Sequence, residues 1–216
     1  MRIISGNLKG EIILLPFFIF NLDADLNSVN FKRLYNSFLF LEENKKNDLF
    51  KINKKVNGKL NLSSDKIYSG NNLVKSFESR ITFNNGNIII DQFLINLGKL
   101  GAADLLGSIE NDEKFSNFKF QSNVFLDNKK KFLNKFGIYN RKQTNIPPAL
   151  FISGNINLKK LKASFYEISA NEKVKSNDID FIEQEFNDYM LSEGFINLFS
   201  FSEFKNFLKS VVSESN

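Results

Sequence analysis

VNGKLNL, Val56–Leu62, alternates without a slip: Val56, Gly58, Leu60 and Leu62 fall on one side, Asn57, Lys59 and Asn61 on the other. A period of two is the mark of a strand with one buried and one wet face. Further along, ISGNINL, Ile152–Leu158, repeats the pattern with its glycine in the same place, so that Ile152, Ile156 and Leu158 match Val56, Leu60 and Leu62. Because a one-residue slip would reverse every side chain, the shared register predicts that both sets face the same way. Asn155 and Asn157 then point opposite.

Alternation extends over most of the chain. Ile4, Gly6, Leu8, Gly10, Ile12 and Leu14 share one face; Phe18, Phe20, Leu22, Ala24 and Leu26 share another, opposite Asn21, Asp23 and Asp25. Strands are expected over 52–62, 66–69, 75–84, 87–97, 102–110 and 117–125. Polar breaks separate them, at Asn84–Asn87, Leu97–Gly101 and Glu110–Lys114. Asn85–Gly86 is the strongest hairpin signal, because a type I′ turn needs positive φ at both central residues. Breaks this short predict antiparallel neighbours, with no space for a crossover helix. The apolar run IILLPFFIF, Ile12–Phe20, reads as two strands meeting at Pro16, since proline lacks the N–H of an interior ladder. It is far below the roughly 20 residues of a membrane-spanning helix, and Glu11, Asp23 and Asp25 flank it without the frame of a signal peptide.

Four segments change to helical spacing, near 30–43, 128–137, 178–191 and 202–212. Phe31, Leu34, Tyr35 and Phe38 make one stripe, Phe132, Leu133 and Phe136 a second. Each is preceded by a residue able to accept from the first-turn N–H groups: Asn30, Asp127, Asp178 and Ser202. The expected class is therefore mainly β with peripheral α: an elongated, twisted antiparallel sheet with short amphipathic helices. GIYNRKQTNIPP, 137–148, lacks periodicity and ends in two prolines, which reads as a loop or linker over 138–148 between segments 1–137 and 149–216.

Composition narrows the chemistry. The 216 residues are 42% hydrophobic and 25% charged, enough to fold around a real core. There is no His and no Cys, which removes the imidazole base, the thiolate nucleophile and the usual zinc ligands. The net charge of +5 suits anionic lipid headgroups or nucleic acid, but the lysines are spread out, and the one dense run, Lys129–Lys131, opens a helix. Of the carboxylate pairs, Asp23 with Asp25 shares a strand face and has no third ligand spaced nearby for a cation. Glu42 with Glu43, Asp178 with Asp180 and Glu183 with Glu185 have no apolar pocket to separate their titrations. No phosphate-cradling glycine motif and no nucleophile elbow occurs. Phe118 and Phe120 around Lys119 are the nearest approach to a base-stacking platform, yet they alternate as in any half-buried strand. No enzyme, cofactor, metal site or nucleic-acid partner is expected.

What remains is a long apolar face. Left open, it forms a groove that beds acyl chains, with lysines at its rim for phosphate. Closed, it is an ordinary sandwich core, and alternation is common to both. The expected lining is Val56, Leu60 and Leu62; Ile89, Phe93 and Ile95; Phe118, Phe120 and Val124; and Ile152, Ile156 and Leu158.

Strand-to-helix units also recur, as FNLDADLNSVNFKRLYNSF (20–38), FQSNVFLDNKKKFLNKFG (120–137) and, more loosely, INLFSFSEFKNFLKSV (196–211). With VNGKLNLSSDKIYSGNNL, ITFNNGNIIIDQFLINLG, ADLLGSIE and PALFISGNINL, they resemble the C-terminal region of AsmA-like proteins, relatives of TamB and of the bridge-like lipid-transfer families. The resemblance implies a twisted sheet with a hydrophobic groove, standing in the bacterial periplasm and moving phospholipid between inner and outer membranes during outer-membrane biogenesis. Implied partners are phospholipid acyl chains, an inner-membrane anchor and outer-membrane assembly proteins. The family's N-terminal transmembrane helix has no counterpart here, so an anchor is expected upstream of a fragment.

Overall fold

The computed structural model describes residues 3–42, 48, 50–69, 71–111, 116–139, 147–170, 176–192 and 194–214. Within them, ten strands form one open, twisted, mostly antiparallel sheet. In chain order the strands are β1 (Ile4–Ile13), β2 (Phe18–Asn30), β3 (Val56–Ser64), β4 (Ile67–Tyr68) and β5 (Ser76–Asn84), then β6 (Asn87–Asn96), β7 (Ala102–Asn111), β8 (Ser116–Phe125), β9 (Ala149–Asn157) and β10 (Lys162–Ser169). They lie side by side in sequence order, save that β4 steps aside to pair with the end of β2. The helices are α1 (Phe31–Leu39), α2 (Lys129–Lys135), α3 (Ser176–Met190) and α4 (Phe201–Glu214). Among the described residues, no helix is long and apolar enough to cross a membrane.

Local chemistry explains most boundaries. Asn85 (φ 50°) and Gly86 (φ 87°) both sit at positive φ and close the β5–β6 hairpin, as Asn-Gly requires. Asn30 Oδ1 accepts from Arg33 N (3.1 Å) to open α1. Asp178, expected to precede its helix, lies inside the first turn of α3, which begins at Ser176, and two further caps differ from expectation by a residue or two. Asn128 rather than Asp127 accepts from Lys131 N at 2.9 Å, and Ser200 rather than Ser202 from Glu203 N at 3.4 Å. In both cases the cap is the residue three before the accepted N–H, which fixes it more tightly than composition does. Residues 52–55, read as strand, precede β3, and β10 has no counterpart in the sequence reading.

One junction departs from an antiparallel meander. β2 and β3 are parallel, Leu22 opposite Leu60 and Ala24 opposite Leu62. The chain leaves β2 through α1 and returns along residues 40–55, a connection long enough for a parallel pair. Everywhere else on the main path neighbours are antiparallel, including β8 with β9 across the segment 137–148. Residues 140–146 of that segment, Glu43, and residues 112–115 of the β7–β8 turn lie outside the described residues.

The register creates a single apolar face. One row runs across the whole sheet: Gly10, Leu22, Leu60, Ile81, Ile90, Gly107, Phe120, Gly154, Phe165. Glycine here lets the neighbouring strand's backbone approach closely: a Cβ would stand 2.0 Å from Asn21 O at Gly10 and 2.5 Å from Ser164 O at Gly154, with rings next in reach. A Cβ on Gly107 would stand 2.5 Å from Lys119 O and 2.9 Å from Phe118 Cε2, and one on Gly154 would stand 3.3 Å from Phe165 Cδ1. Since Gly107 meets backbone as well as a ring, Gly107→Ala is expected to cost about 1–3 kcal/mol, the range for overpacking, as read by urea denaturation.

Two buried clusters lie on the helix side of the sheet. In the first, Leu97, Leu100, Phe132, Leu133, Phe136 and Ile138 gather where β6 and β8 run out, with Phe201, Phe204, Leu208 and Val212 of α4 against them. The second joins Ile156 and Ala163 to Leu191, with Phe186 of α3 and Phe118 and Phe120 beside them. Helical cover is therefore concentrated on β8–β10 and on one end of the sheet. The apolar residues of β1, β2, β3, β5 and β7 belong to neither cluster, though Ala24, Val29 and Ile109 among them are buried.

Candidate functional site, an apolar sheet face

The uncovered part of this face is the candidate site. A second sheet about 10 Å above it would bury its residues completely. Instead Leu22, Leu60, Leu62, Ile81 and Ile90 are only half-buried. What shielding they have comes largely from neighbours on the same face, where rings pair across strands: Phe20 with Phe83 at 5.4 Å and Phe77 with Phe93 at 5.7 Å. Such pairs stabilise a sheet by packing side by side and leave their upper surfaces available.

Of the twelve expected lining residues, eleven lie on this side of the sheet. Val56, Leu60 and Leu62 line the sparsely covered part; Phe93 and Ile95 lie further across, on β6. Phe118, Phe120 and Val124 share the face on β8, and Ile152 and Ile156 on β9, just as the repeated register requires. Leu158, just past β9, packs with Ile156, which is 3% exposed beneath the α3 cluster. Phe118 and Phe120 are partly under the same cover, so the β8–β9 part is floor beneath helices more than open groove.

Ile89 is the exception. It pairs with Thr82 and Ser108 on the polar face. The register slips between Ile90 and Phe93, with Asp91 as the extra residue of a bulge, and Thr82 Oγ1 donates to Asp91 Oδ2 at 2.6 Å. Strict alternation from Phe93 backwards therefore lands on Ile89, whereas the residues that share its face are Ile90 and Ile88. Those two were missed, together with Leu22, Ile81 and Leu105. The last three were legible as alternating positions, and only the pairing register brings them into one row.

The polar face carries cross-strand side-chain hydrogen bonds. Asn61 donates to Asp23 at 2.7 Å and Ser63 to Asp25 at 2.8 Å, so these two carboxylates are occupied as members of a side-chain ladder. Among the described residues, no three carboxylates converge as a metal site would need. Lys119 lies opposite Phe118 and Phe120, which separates the cation from the rings and leaves no stacking platform. It donates to both Glu110 oxygens, at 3.0 and 2.8 Å. That hydrogen bond, with the charge of Glu110, holds its ammonium above the ordinary lysine range. Because the folded-state value is raised, the benefit is full below the ordinary lysine range and is lost only as alkaline pH passes the raised value. At neutral pH the face is insensitive to this pair.

Basic groups collect beside the first cluster. Lys205 Cε and Lys209 Cε of α4 lie 3.7 and 3.9 Å from where a Cβ on Gly137 would stand, Lys75 packs by Gly98, and Lys135 donates to Asn71 O at 2.8 Å. These lysines lie at the end of the sheet where β6 and β8 run out. No family model, curated protein or solved structure matches this chain.

Proposed function

We propose that this chain is a non-enzymatic lipid-binding protein whose open apolar sheet face receives phospholipid acyl chains. The observation that carries the reading is the row Leu22, Leu60, Ile81 and Ile90: large, adjacent, half-buried and outside both buried clusters. Each acyl CH₂ taken from water contributes about 0.8 kcal/mol, so a partly buried chain of ten amounts to several kcal/mol before ordering costs. The lysines at one end offer a counter-charge for a phosphate head. The resemblance to AsmA-like proteins extends the proposal to phospholipid transport between inner and outer membranes, with a periplasmic setting, an upstream anchor and outer-membrane assembly partners.

Native mass spectrometry of the purified protein tests it. Adducts with the masses of phospholipids, lost on delipidation and regained from vesicles of phosphatidylethanolamine and phosphatidylglycerol, are the expected result. A lipid-free protein that acquires none from those vesicles would return the chain to the class of partner-binding β-domains.

A further inference from the structure

The two edges of the sheet are treated differently. At β10, α3 occupies the outward backbone groups: Asn187 Oδ1 accepts from Ala163 N (2.7 Å) while its Nδ2 donates to Ala163 O (3.2 Å), and Glu183 Oε2 accepts from Phe165 N at 3.0 Å. Side chains thus fill the positions at Ala163 and Phe165 that a further strand would need. Among the described residues β1 has no such cover. Its one strand partner among the described residues is β2. It contains no proline, and Leu8 is 65% exposed and Ile12 51%. A long, uncovered edge of this kind is a template for strand pairing.

Ile3 O accepts from Asn30 N on β2. By alternation the odd residues of β1 turn their backbone groups inward and the even ones turn theirs to the free edge. Around Gly10 the sequence reads Leu8-Lys9-Gly10-Glu11-Ile12. Two copies of β1 placed antiparallel with Gly10 opposite Gly10 set Lys9 against Glu11 twice on the polar side. On the apolar side they set Leu8 against Ile12 twice. Moving the symmetry centre by one residue sets Lys9 against Lys9, or Glu11 against Glu11, which like-charge repulsion disfavours. The strand is self-complementary in one register, as an isologous two-fold contact requires.

We propose that β1 is the dimerisation edge of this protein, pairing antiparallel with β1 of a second copy about Gly10. The two apolar faces then join into one surface, and the capped β10 edges terminate the assembly at both ends.

The test uses the absence of native cysteine. Lys9→Cys protein mixed with Glu11→Cys protein is expected to form a disulfide-linked heterodimer, because opposed residues between ladder bonds lie about 4.5 Å apart at Cα. Lys9→Cys alone is expected not to cross-link, because its own copies stand diagonally at about 7–8 Å. Sedimentation should show a wild-type dimer, and Lys9→Glu should raise the dimer dissociation constant about tenfold or more through two opposed like charges. The double exchange K9E/E11K should restore wild-type affinity. A protein monomeric at every concentration overturns the proposal, as does equal cross-linking of Lys9→Cys with itself, or a double exchange that fails to rescue.

Discussion

Phe136→Ala is expected to lower stability by about 3–5 kcal/mol, the range for truncating a fully buried phenylalanine. Phe136 has no exposed surface, and its ring is met from three directions: Phe132 at 5.0 Å, Phe201 at 5.1 Å and Phe204 at 5.4 Å. Phe132 belongs to α2 and the other two to α4, so this ring holds the last helix against the end of the sheet. Neighbours from two helices and a loop cannot all collapse into the void, which favours the upper part of the range. For a chain of this length the melting temperature should fall by roughly 6–20 °C. Phe199→Ala, at a ring 53% exposed, serves as the contrast and should cost under about 1 kcal/mol. Thermal and urea melts of the two variants decide the matter. A Phe136→Ala loss no larger than that of Phe199→Ala would mean that α4 is not docked as described.

How far the residues alone reach can be judged element by element. The hairpin at Asn85–Gly86 and the four apolar helical stripes were legible because each is a local device, set by φ preference or by a period of 3.6. The common orientation of Val56–Leu62 and Ile152–Leu158 was legible because alternation survives any distance in sequence. Three features were not. The parallel β2–β3 pair depends on where the chain re-enters after α1, and no residue in 40–55 encodes that direction. The bulge at Asp91 inverts the face of Ile89, and it lies in a run, NIIIDQFLIN, where apolar residues stand at both phases. β10 was hidden for a similar reason, since its register slips between Phe165 and Glu167 and breaks the alternation of Ala163, Phe165 and Ile168. For the candidate site, which residues are apolar was readable, but which of them helices cover was not. That depends on α3 and α4 packing back over β8–β10 from the far end of the chain.

This uneven cover determines where an acidic probe can separate a groove from a core. Phe120 is the apolar residue that alternation first offers, yet it touches Phe118 at 5.5 Å and Phe165 at 6.3 Å and packs against the Ile156 cluster. Phe120 is half-buried like Leu60, but a carboxylate there would be partly desolvated by the cluster it packs against, and Phe120→Asp should cost about 3–5 kcal/mol, mostly from lost packing. Leu60 offers the cleaner site. It sits between Leu22 and Ile81, half-buried and in neither buried cluster. The carboxylate of Leu60→Asp can stay hydrated there, so the loss should be about 1–2 kcal/mol of partial apolar burial, a shift of a few degrees in the melt. Its effect on lipid should be much larger, because an acyl chain lying along Leu22, Leu60 and Ile81 would have to strip water from a charge. The expected pattern is a folded Leu60→Asp protein that no longer carries phospholipid in native mass spectra or cross-links to a photoreactive acyl probe, beside a Phe120→Asp protein that melts far earlier. If Leu60→Asp unfolds as readily as Phe120→Asp, and wild-type protein carries no lipid, the face is a closed core. If Leu60→Asp folds and still loads lipid like wild type, acyl chains lie elsewhere, and the β2–β5 row is not their bed.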